Sequence, residues 1–420
     1  MDALCPACLS AWTVLQAQST KITRQACTAG SQGTAMRICV LGNQSRAVFL
    51  FWRVLMNEAR ARGHSVLCLV PQGDEKSDKD IEDLGVSIRH YSLDRKGINP
   101  LRDVRTFLDL KRIFHEEQID LLFATTIKPV IYGCIAARLA DIPHVYATIT
   151  GLGYAFEADS FLKKIVHAVS VVLYRTALSR IEGVFFQNRD DARLFRSCGI
   201  LTDASRVLFA RGTGVDTARF PVQPLPDTSQ GLVFLTVGRL LIAKGFCEFA
   251  EAARRVKKKY PQCRFQILGP REQGLGSISD ERLQQWKEEG AVEYLGATSD
   301  VVPYVRNCHV VVLASWREGI PTAIMEAMSM GRACLVTDVP GCREAVTDGD
   351  NGFLVPDKDP AALAEAMERF ICQPELLQTM GKRGRELAEQ TFDAHVVATG
   401  ILQDMHVPAS PFEGNNHHDK

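Results

Sequence analysis

Two doubly wound α/β domains facing a central cleft are the architecture this sequence predicts, on three observations. From Arg37 onward, short β-branched runs alternate with amphipathic helical runs, as in a parallel sheet covered on both faces. The alternation breaks at "PVQPLPDTSQG" (221–231), where three prolines in a short polar stretch read as an interdomain linker. A chain of 420 residues with 46% hydrophobic composition can bury two cores of ordinary size. The expected organisation is a leader over 1–35, an N-terminal domain over 36–222, a C-terminal domain over 231–405 and a disordered tail over 406–420.

The elements follow in order. "RICVLG" is the first convincing strand, "FLFWRVLMNEARARG" the helix after it, and Gly63 joins that helix to the strand in "HSVLCLVP". "LRDVRTFLDLKRIFHEEQ", "DLLFATT", "VIYGCIAARLADI" and "HVYATITG" continue the alternation. After the linker come "LVFLTVGRL", a helix through "FCEFAEAARRVKKKY", then "RFQILGP", "VEYLG", "HVVVLASW", a helix from Pro321, "ACLVTD" and "PAALAEAMERFI". A ligand crevice is expected outside the carboxyl ends of these strands.

Composition excludes several classes. Lys plus Arg and Asp plus Glu are equal at 49 each, so the basic excess of a nucleic-acid binder is missing. Thirteen scattered cysteines fit buried thiols in a reducing compartment better than a disulfide framework. Cys5 and Cys8 form a lone CxxC with no second ligand pair, so no zinc site is expected. No apolar stretch reaches the roughly 18–20 residues of a membrane span. Asp2 stands where a signal peptide would be basic, so the leader reads as disordered or as an early start. The expected location is cytoplasmic, with peripheral contact at the inner membrane as an option.

"SWREGIPTAIMEAM" (315–328) places Glu318 before a Gly-Ile-Pro turn and Glu326 inside the helix that follows. Gly319 permits close backbone approach, and Pro321 suits a first helical turn. The N–H groups of Thr322 and Ala323 then face an anion, aided by the helix dipole. A carboxylate accepts two hydrogen bonds and so suits a vicinal diol; a diphosphate flanked by sugar hydroxyls would explain the spacing. The bland reading, two solvated acids, stands at even odds on this motif alone. "VGRLLIAKGF" (237–246) adds Arg239 and Lys244 at the carboxyl end of a strand, where two cations would steady charge on a departing nucleotide. Neither loop has an Asp-x-Asp pair for a divalent metal, so these cations would replace one.

"VGRLLIAKGF", "LASWREGIPTAIMEAMSMGRACLVTDVPGCREAVTDGDNGFLV" and "GTGVDTARF" resemble glycosyltransferase family 4 from residue 37 to about 400. The resemblance implies the GT-B fold of two Rossmann-like domains and a retaining, metal-independent hexosyltransferase without cofactor. It implies donor contacts from Gly238, Arg239, Lys244, Glu318, Gly319, Ile320, Pro321, Thr322, Ala323 and Glu326. Of these, Arg239 and Lys244 would hold the diphosphate, Glu318 the transferred sugar and Glu326 the ribose. Glu318, Arg239 and Lys244 are the expected catalytic set.

"LGNQSRAVFLFWR" lacks a glycine-rich fingerprint, which disfavours a dinucleotide site in the first domain. Asn43, Thr125, Thr126, Lys128, Gly151 and Gly153 follow strands and are expected to meet an anionic acceptor. "FATTIKPVIYG", "TITGLGYAF" and "FFQNRDDARLF" resemble the subgroup that extends polyprenyl-diphosphate-linked sugars in bacterial glycan assembly, often from UDP-N-acetylhexosamines. Where many members carry a His, this chain has Phe123-Ala124-Thr125, so no His role transfers; His144 and His167 read as structural.

No strong nucleophile is evident, so a front-face reaction through an oxocarbenium-like transition state is expected. The rivals are a nucleotide-sugar epimerase or phosphorylase of the same fold, and a non-catalytic nucleotide-sugar-binding subunit. Finally, "SFLKKIVHAVSVVLYRTALSR" (160–180) sets Phe161, Ile165, Val169 and Val172 on one helical face. It reads either as packing on its own sheet, the commoner case, or as a basic amphipathic helix at an anionic leaflet.

Overall fold

The computed structural model describes residues 35–94, 100–151, 161–274 and 276–408. The leader up to residue 34, Cys5 and Cys8, Gly153, the side chains of Phe161 and Ile165, and the tail beyond 408 lie outside the described residues.

The first half runs β1 (Arg37–Leu41), α1 (Ser45–Ala61), β2 (Ser65–Val70), α2 (Glu75–Glu82), β3 (Ser87–His90), α3 (Pro100–Glu117), β4 (Leu121–Thr125), α4 (Ile127–Leu139), β5 (His144–Ile149), α5 (Phe161–Leu178), β6 (Gly183–Phe186), α6 (Arg189–Ser197) and β7 (Val207–Phe209). The second half runs β8 (Val233–Val237), α7 (Phe246–Lys259), β9 (Arg264–Leu268), α8 (Asp280–Glu288), β10 (Glu293–Tyr294), α9 (Val302–Arg306), β11 (Val310–Leu313), α10 (Thr322–Ser329), β12 (Ala333–Thr337), α11 (Cys342–Ala345), β13 (Gly352–Val355), α12 (Pro360–Cys372), α13 (Glu375–Leu387) and α14 (Ala394–Asp404).

The strands make a seven-stranded sheet in the order β3-β2-β1-β4-β5-β6-β7 and a six-stranded sheet in the order β10-β9-β8-β11-β12-β13. Every pairing is parallel. Parallel strands need helical crossovers, which cover both faces and bury β4 and β12 along their whole lengths. On one face of the first sheet, Phe114 of α3, Val130 of α4, Tyr174 of α5 and Phe195 of α6 form a single core. On the other, Trp52 and Met56 of α1 pack with Phe123 and Phe185. Strand order reverses between β1 and β4, and again between β8 and β11. A crevice opens at such a switch point, because the loops leaving the two strands run to opposite faces.

Two features differ from expectation. The helix α14 falls within the expected second domain by its place in the chain, yet Val397, Ala398, Ile401 and Leu402 pack in the first domain's core beside Ile38 and Val40. Its apolar stripe matches that face, and Arg206 fixes its end by donating to the Asp404 carbonyl at 2.9 Å. In α5, the described members of the predicted apolar face, Val169 and Val172, are exposed, while Tyr174, Ala177 and Leu178 face the core. The commoner packing reading therefore fails for these two side chains.

The linker is held by a buried cation. Arg332, with 0% exposure, donates to the carbonyls of Gln223 (2.8 Å), Pro224 (2.8 Å), Val305 (3.0 Å), Arg306 (2.9 Å) and Met330 (3.2 Å). Burial lowers its pKa, and the carbonyl cage compensates in place of a carboxylate. Arg332→Met is expected to lose about 3 kcal/mol or more in urea unfolding, because several buried carbonyls are left without donors. An unchanged midpoint would show that the linker re-solvates at no cost.

Candidate active site

The site forms where the two switch points face each other. On the second domain, β8 ends at Val237 and the chain turns through Gly238 and Arg239 into a 3₁₀ turn, Ile242–Lys244. Gly245 closes that turn at φ +74°, with its Cβ position only 1.9 Å from the Ala314 carbonyl oxygen. Only glycine allows both the angle and the approach, which brings the Lys244 turn onto the loop leaving β11. The Trp316 N–H donates to the Ala243 carbonyl at 2.9 Å and completes the junction.

Lys244 and Glu318 consequently meet. The ammonium lies 2.5 Å from Glu318 Oε1, and the Ser315 hydroxyl donates to the same oxygen at 2.7 Å. Both side chains are largely shielded, at 25% and 11% exposure, where a charge-assisted bond is stronger than in water. The two residues expected to hold different parts of a ligand thus hold each other here. Arg239 stays 62% exposed, its nearest carboxylate being Glu272 at 3.6 Å.

The helix α10 starts at Thr322 with Pro321 as its cap in extended conformation, one residue later than expected. The Ile324 and Met325 N–H groups return to the Pro321 carbonyl, leaving those of Thr322 and Ala323 with no intrahelical acceptor. Ile320 donates its N–H across the cleft to Gln187 Oε1 at 2.8 Å. Gly319 is needed for contact with the first domain, since its Cβ position lies 2.1 Å from Gln187 Oε1 and 2.5 Å from the Thr150 carbonyl. Its close approach is to protein. Beside this seam Arg317 pairs with Asp191 and Arg343 with Asp190 at 3.3 Å. Burial raises the Asp191 carboxyl above its ordinary range, partly offset by Arg317.

Two adjoining cavities occupy the crevice. One, of about 490 Å³, is lined by Asn43, Trp52, Thr125, Thr126 and Gln187 on one side and by Arg239, Lys244 and Glu318 through Ala323 on the other. The second, of about 360 Å³, is lined by Arg53, Asp216 and Arg219 opposite Pro270, Val301 and Glu326. Gly238, Arg239, Thr322 and Ala323 line both. Every expected donor-side residue therefore lies on this surface. Lys128 and Gly151 do not line either cavity. The Lys128 ammonium is instead held at 2.8 Å by Asp103 and at 2.7 Å by the Asp94 carbonyl. His144 pairs with Glu182 at 3.0 Å, away from both cavities.

Sequence reasoning missed Arg53, Arg219 and Gln187. Arg53, Gln187 and Arg219 stand in "LGNQSRAVFLFWR", "FFQNRDDARLF" and "GTGVDTARF", but nothing in their spacing announces that they line the cleft. Thr126 lines it at φ +69°, a strained angle for a β-branched residue, with its hydroxyl buried and unpartnered among the described residues.

The Glu326 carboxylate has no hydrogen-bond partner among the described residues, and burial pushes its pKa up to about 7 against the pull of Arg219 and Arg53. A carboxyl raised above its ordinary 4.5 costs folded-state stability as pH climbs from there, and the whole penalty is in place above about 7. Glu326→Gln is therefore expected to raise Tm at pH 8 and to leave it unchanged near pH 4.5. Equal shifts at both values would refute the burial argument.

The comparisons with known proteins agree with this geometry. The family model described as "Glycosyl transferase 4-like" matches residues 37–188, and "Glycosyl transferases group 1" matches 231–373. The chain belongs to these glycosyltransferases. It is a hexosyltransferase of GT-B fold, the two matches falling on the two sheets. The N,N'-diacetylbacillosaminyl-diphospho-undecaprenol alpha-1,3-N-acetylgalactosaminyltransferase of Campylobacter jejuni is 27% identical over 379 residues, covering 88% of this chain and 98% of that protein. The UDP-Gal:alpha-D-GlcNAc-diphosphoundecaprenol alpha-1,3-galactosyltransferase of Escherichia coli is 27% identical over 74% of this chain and 81% of its own. Among solved structures, Anabaena HepE in complex with UDP and glucose superposes with a TM-score of 0.71 at 18% identity, over 89% of this glycosyltransferase and 100% of that chain. No described helix is long and apolar enough to cross a membrane.

Proposed function

We propose that this glycosyltransferase moves a sugar, an N-acetylhexosamine, from a UDP-sugar to a polyprenyl-diphosphate-linked saccharide, with retention and without a metal ion. The observation that carries the reading is the convergence of Arg239, Lys244, Glu318 and the α10 N-terminus on one cavity whose opposite wall belongs to the first domain. The names of the Campylobacter jejuni and Escherichia coli relatives support the acceptor class, and the first supports the sugar.

In this reading the uridine and ribose fill the smaller cavity, with Glu326 accepting from the ribose hydroxyls. The diphosphate lies over the N–H groups of Thr322 and Ala323, between Arg239 and Lys244. The sugar sits at Glu318, and the acceptor sugar enters past Asn43, Thr125 and Thr126. The bond from the anomeric carbon to the phosphate oxygen breaks while the acceptor oxygen bonds to that carbon on the same face. The acceptor's proton passes to the departing phosphate oxygen. Arg239 and Lys244 stabilise the charge left on the nucleotide, the task a metal would otherwise have.

The test is nucleotide release from UDP-, GDP- and ADP-sugars, with and without a detergent-solubilised polyprenyl-diphosphate monosaccharide, in EDTA. Acceptor-dependent UDP release that survives EDTA is expected. Acceptor-independent conversion of the donor would point to an epimerase or phosphorylase, and binding without turnover to a non-catalytic subunit.

A further inference from the structure

Among the described residues, eleven large apolar side chains are conspicuously exposed, and five of them lie on two helices of one layer. Leu101, Val104 and Leu108 of α3 are 82%, 55% and 57% exposed; Val169 and Val172 of α5 are 54% and 59%. The three on α3 fall at i, i+3 and i+7, a single stripe, while Leu110, Ile113 and Phe114 fill the core on the helix's opposite side. Both helices pack against α4, which lies between them. A stripe this apolar on the outside of a helix whose inside is already satisfied asks for a cover.

Charge indicates which cover. Arg105, Lys111 and Arg112 are exposed beside the stripe. Arg112 pairs with Asp109 at 2.8 Å, but Arg105 and Lys111 make no ion pair among the described residues. A shallow depression lined by Leu101, Val104, Arg105, Leu108 and the paired Asp109 and Arg112 runs along this side. Apolar side chains bordered by cations are the makeup of a surface that sinks into the headgroups of an anionic bilayer.

Position relative to the cleft is the independent observation. The Lys128–Asp103 pair, at 2.8 Å, fastens the first turn of α3 to the first turn of α4. The residue that caps α4 is Thr126, on the cleft wall. The apolar stripe therefore begins next to the acceptor side of the crevice and leads away from it.

We propose that the outer face of α3, extended by Val169 and Val172 of α5, docks this enzyme on an anionic phospholipid leaflet. The cleft mouth is then set at the depth where a lipid-linked diphosphate emerges. The location of the acceptor rests on the function proposed above; the docking itself does not.

The test is flotation of the full chain with phosphatidylcholine vesicles, with and without phosphatidylglycerol. Binding is expected only with the anionic lipid and is expected to weaken as salt is raised. Arg105→Gln with Lys111→Gln should weaken it roughly 25-fold, from about fivefold per cation. Val104→Asp with Leu108→Asp should abolish it, with an unchanged circular dichroism spectrum and turnover on a short-chain, water-soluble acceptor within about twofold of wild type. Flotation that survives both double variants would overturn the proposal. So would a wild-type dimer in light scattering that Val104→Asp/Leu108→Asp converts to monomer, since a second copy would then be the cover. Vesicle binding lost in the variants, with no wild-type turnover on any polyprenyl-diphosphate acceptor, would uphold the docking face and sink the acceptor reading instead.

Discussion

Glu318→Ala is expected to slow transfer by roughly 10²–10³-fold while changing donor affinity about threefold or less, as when one oriented charged partner of a transition state is removed. Lys244→Met should cost a similar factor. The double variant should be little worse than either alone, because the ammonium and carboxylate lie 2.5 Å apart and each keeps the other in place. Once the partner is gone, the remaining side chain has already lost its geometry. Steady-state kinetics on the three variants would decide it: costs that multiply would mean that neither group depends on the other for its position. Ser315→Ala, removing the 2.7 Å bond to the same oxygen, offers a milder version of the same experiment.

The second large effect is expected at a residue that lines neither cavity. Gly341 lies behind the donor loop at φ +87°, where an added Cβ would meet the Gly319 carbonyl oxygen at 1.4 Å and that of Glu318 at 2.6 Å. Both are backbone atoms, so no side chain can swing aside to relieve the contact. Gly341→Ala is expected to cost about 2–5 kcal/mol, combining the left-handed strain with overpacking. Turnover should fall by about 10²-fold or more as the loop carrying Glu318 moves, since an ångström of misplacement costs that much. Gly349→Ala is the control, because Gly349 also has a positive φ, +77°, but has nothing within 4 Å of its Cβ position. It should lose about 1 kcal/mol and no activity. Equal losses in urea unfolding for the two would mean that strain, and not the contact with the donor loop, sets the cost.

The parallel sheets were legible because every buried strand is a short β-branched run and every crossover an amphipathic one. The donor wall was legible for a related reason. Its parts are local: a turn, a proline-capped helix start and two cations at strand ends, each readable within ten residues or so. The parts that were not legible are long-range. Lys128 follows a cleft strand just as Thr125 and Thr126 do, yet Asp103, on another helix, takes its charge. Gln187 and Ile320 meet across the cleft although nothing local to either indicates it. The helix α14 was assigned by its place in the chain, whereas what decides its home is the match between its stripe and a face formed by β1 and α1. Arg332 is the extreme case: an arginine in "GRACLV" gives no hint that it will be enclosed by carbonyls from two other segments.

The crossing of α14 has a consequence for how the protein is made. The first domain's sheet leaves the ribosome early, but its Trp52 face is completed by Val397, Ile401 and Leu402, and by Val407 beyond the helix. These residues are translated only after the whole second domain, a delay of roughly 10–40 s at about 5–20 residues per second. For that interval a half-finished layer must remain uncovered on a nascent chain. The fold thus couples completion of its oldest part to arrival of its newest. A transcript broken off after the second domain would release a protein with both sheets present and one of them unsealed, a natural client for a holdase and a natural seed for aggregation.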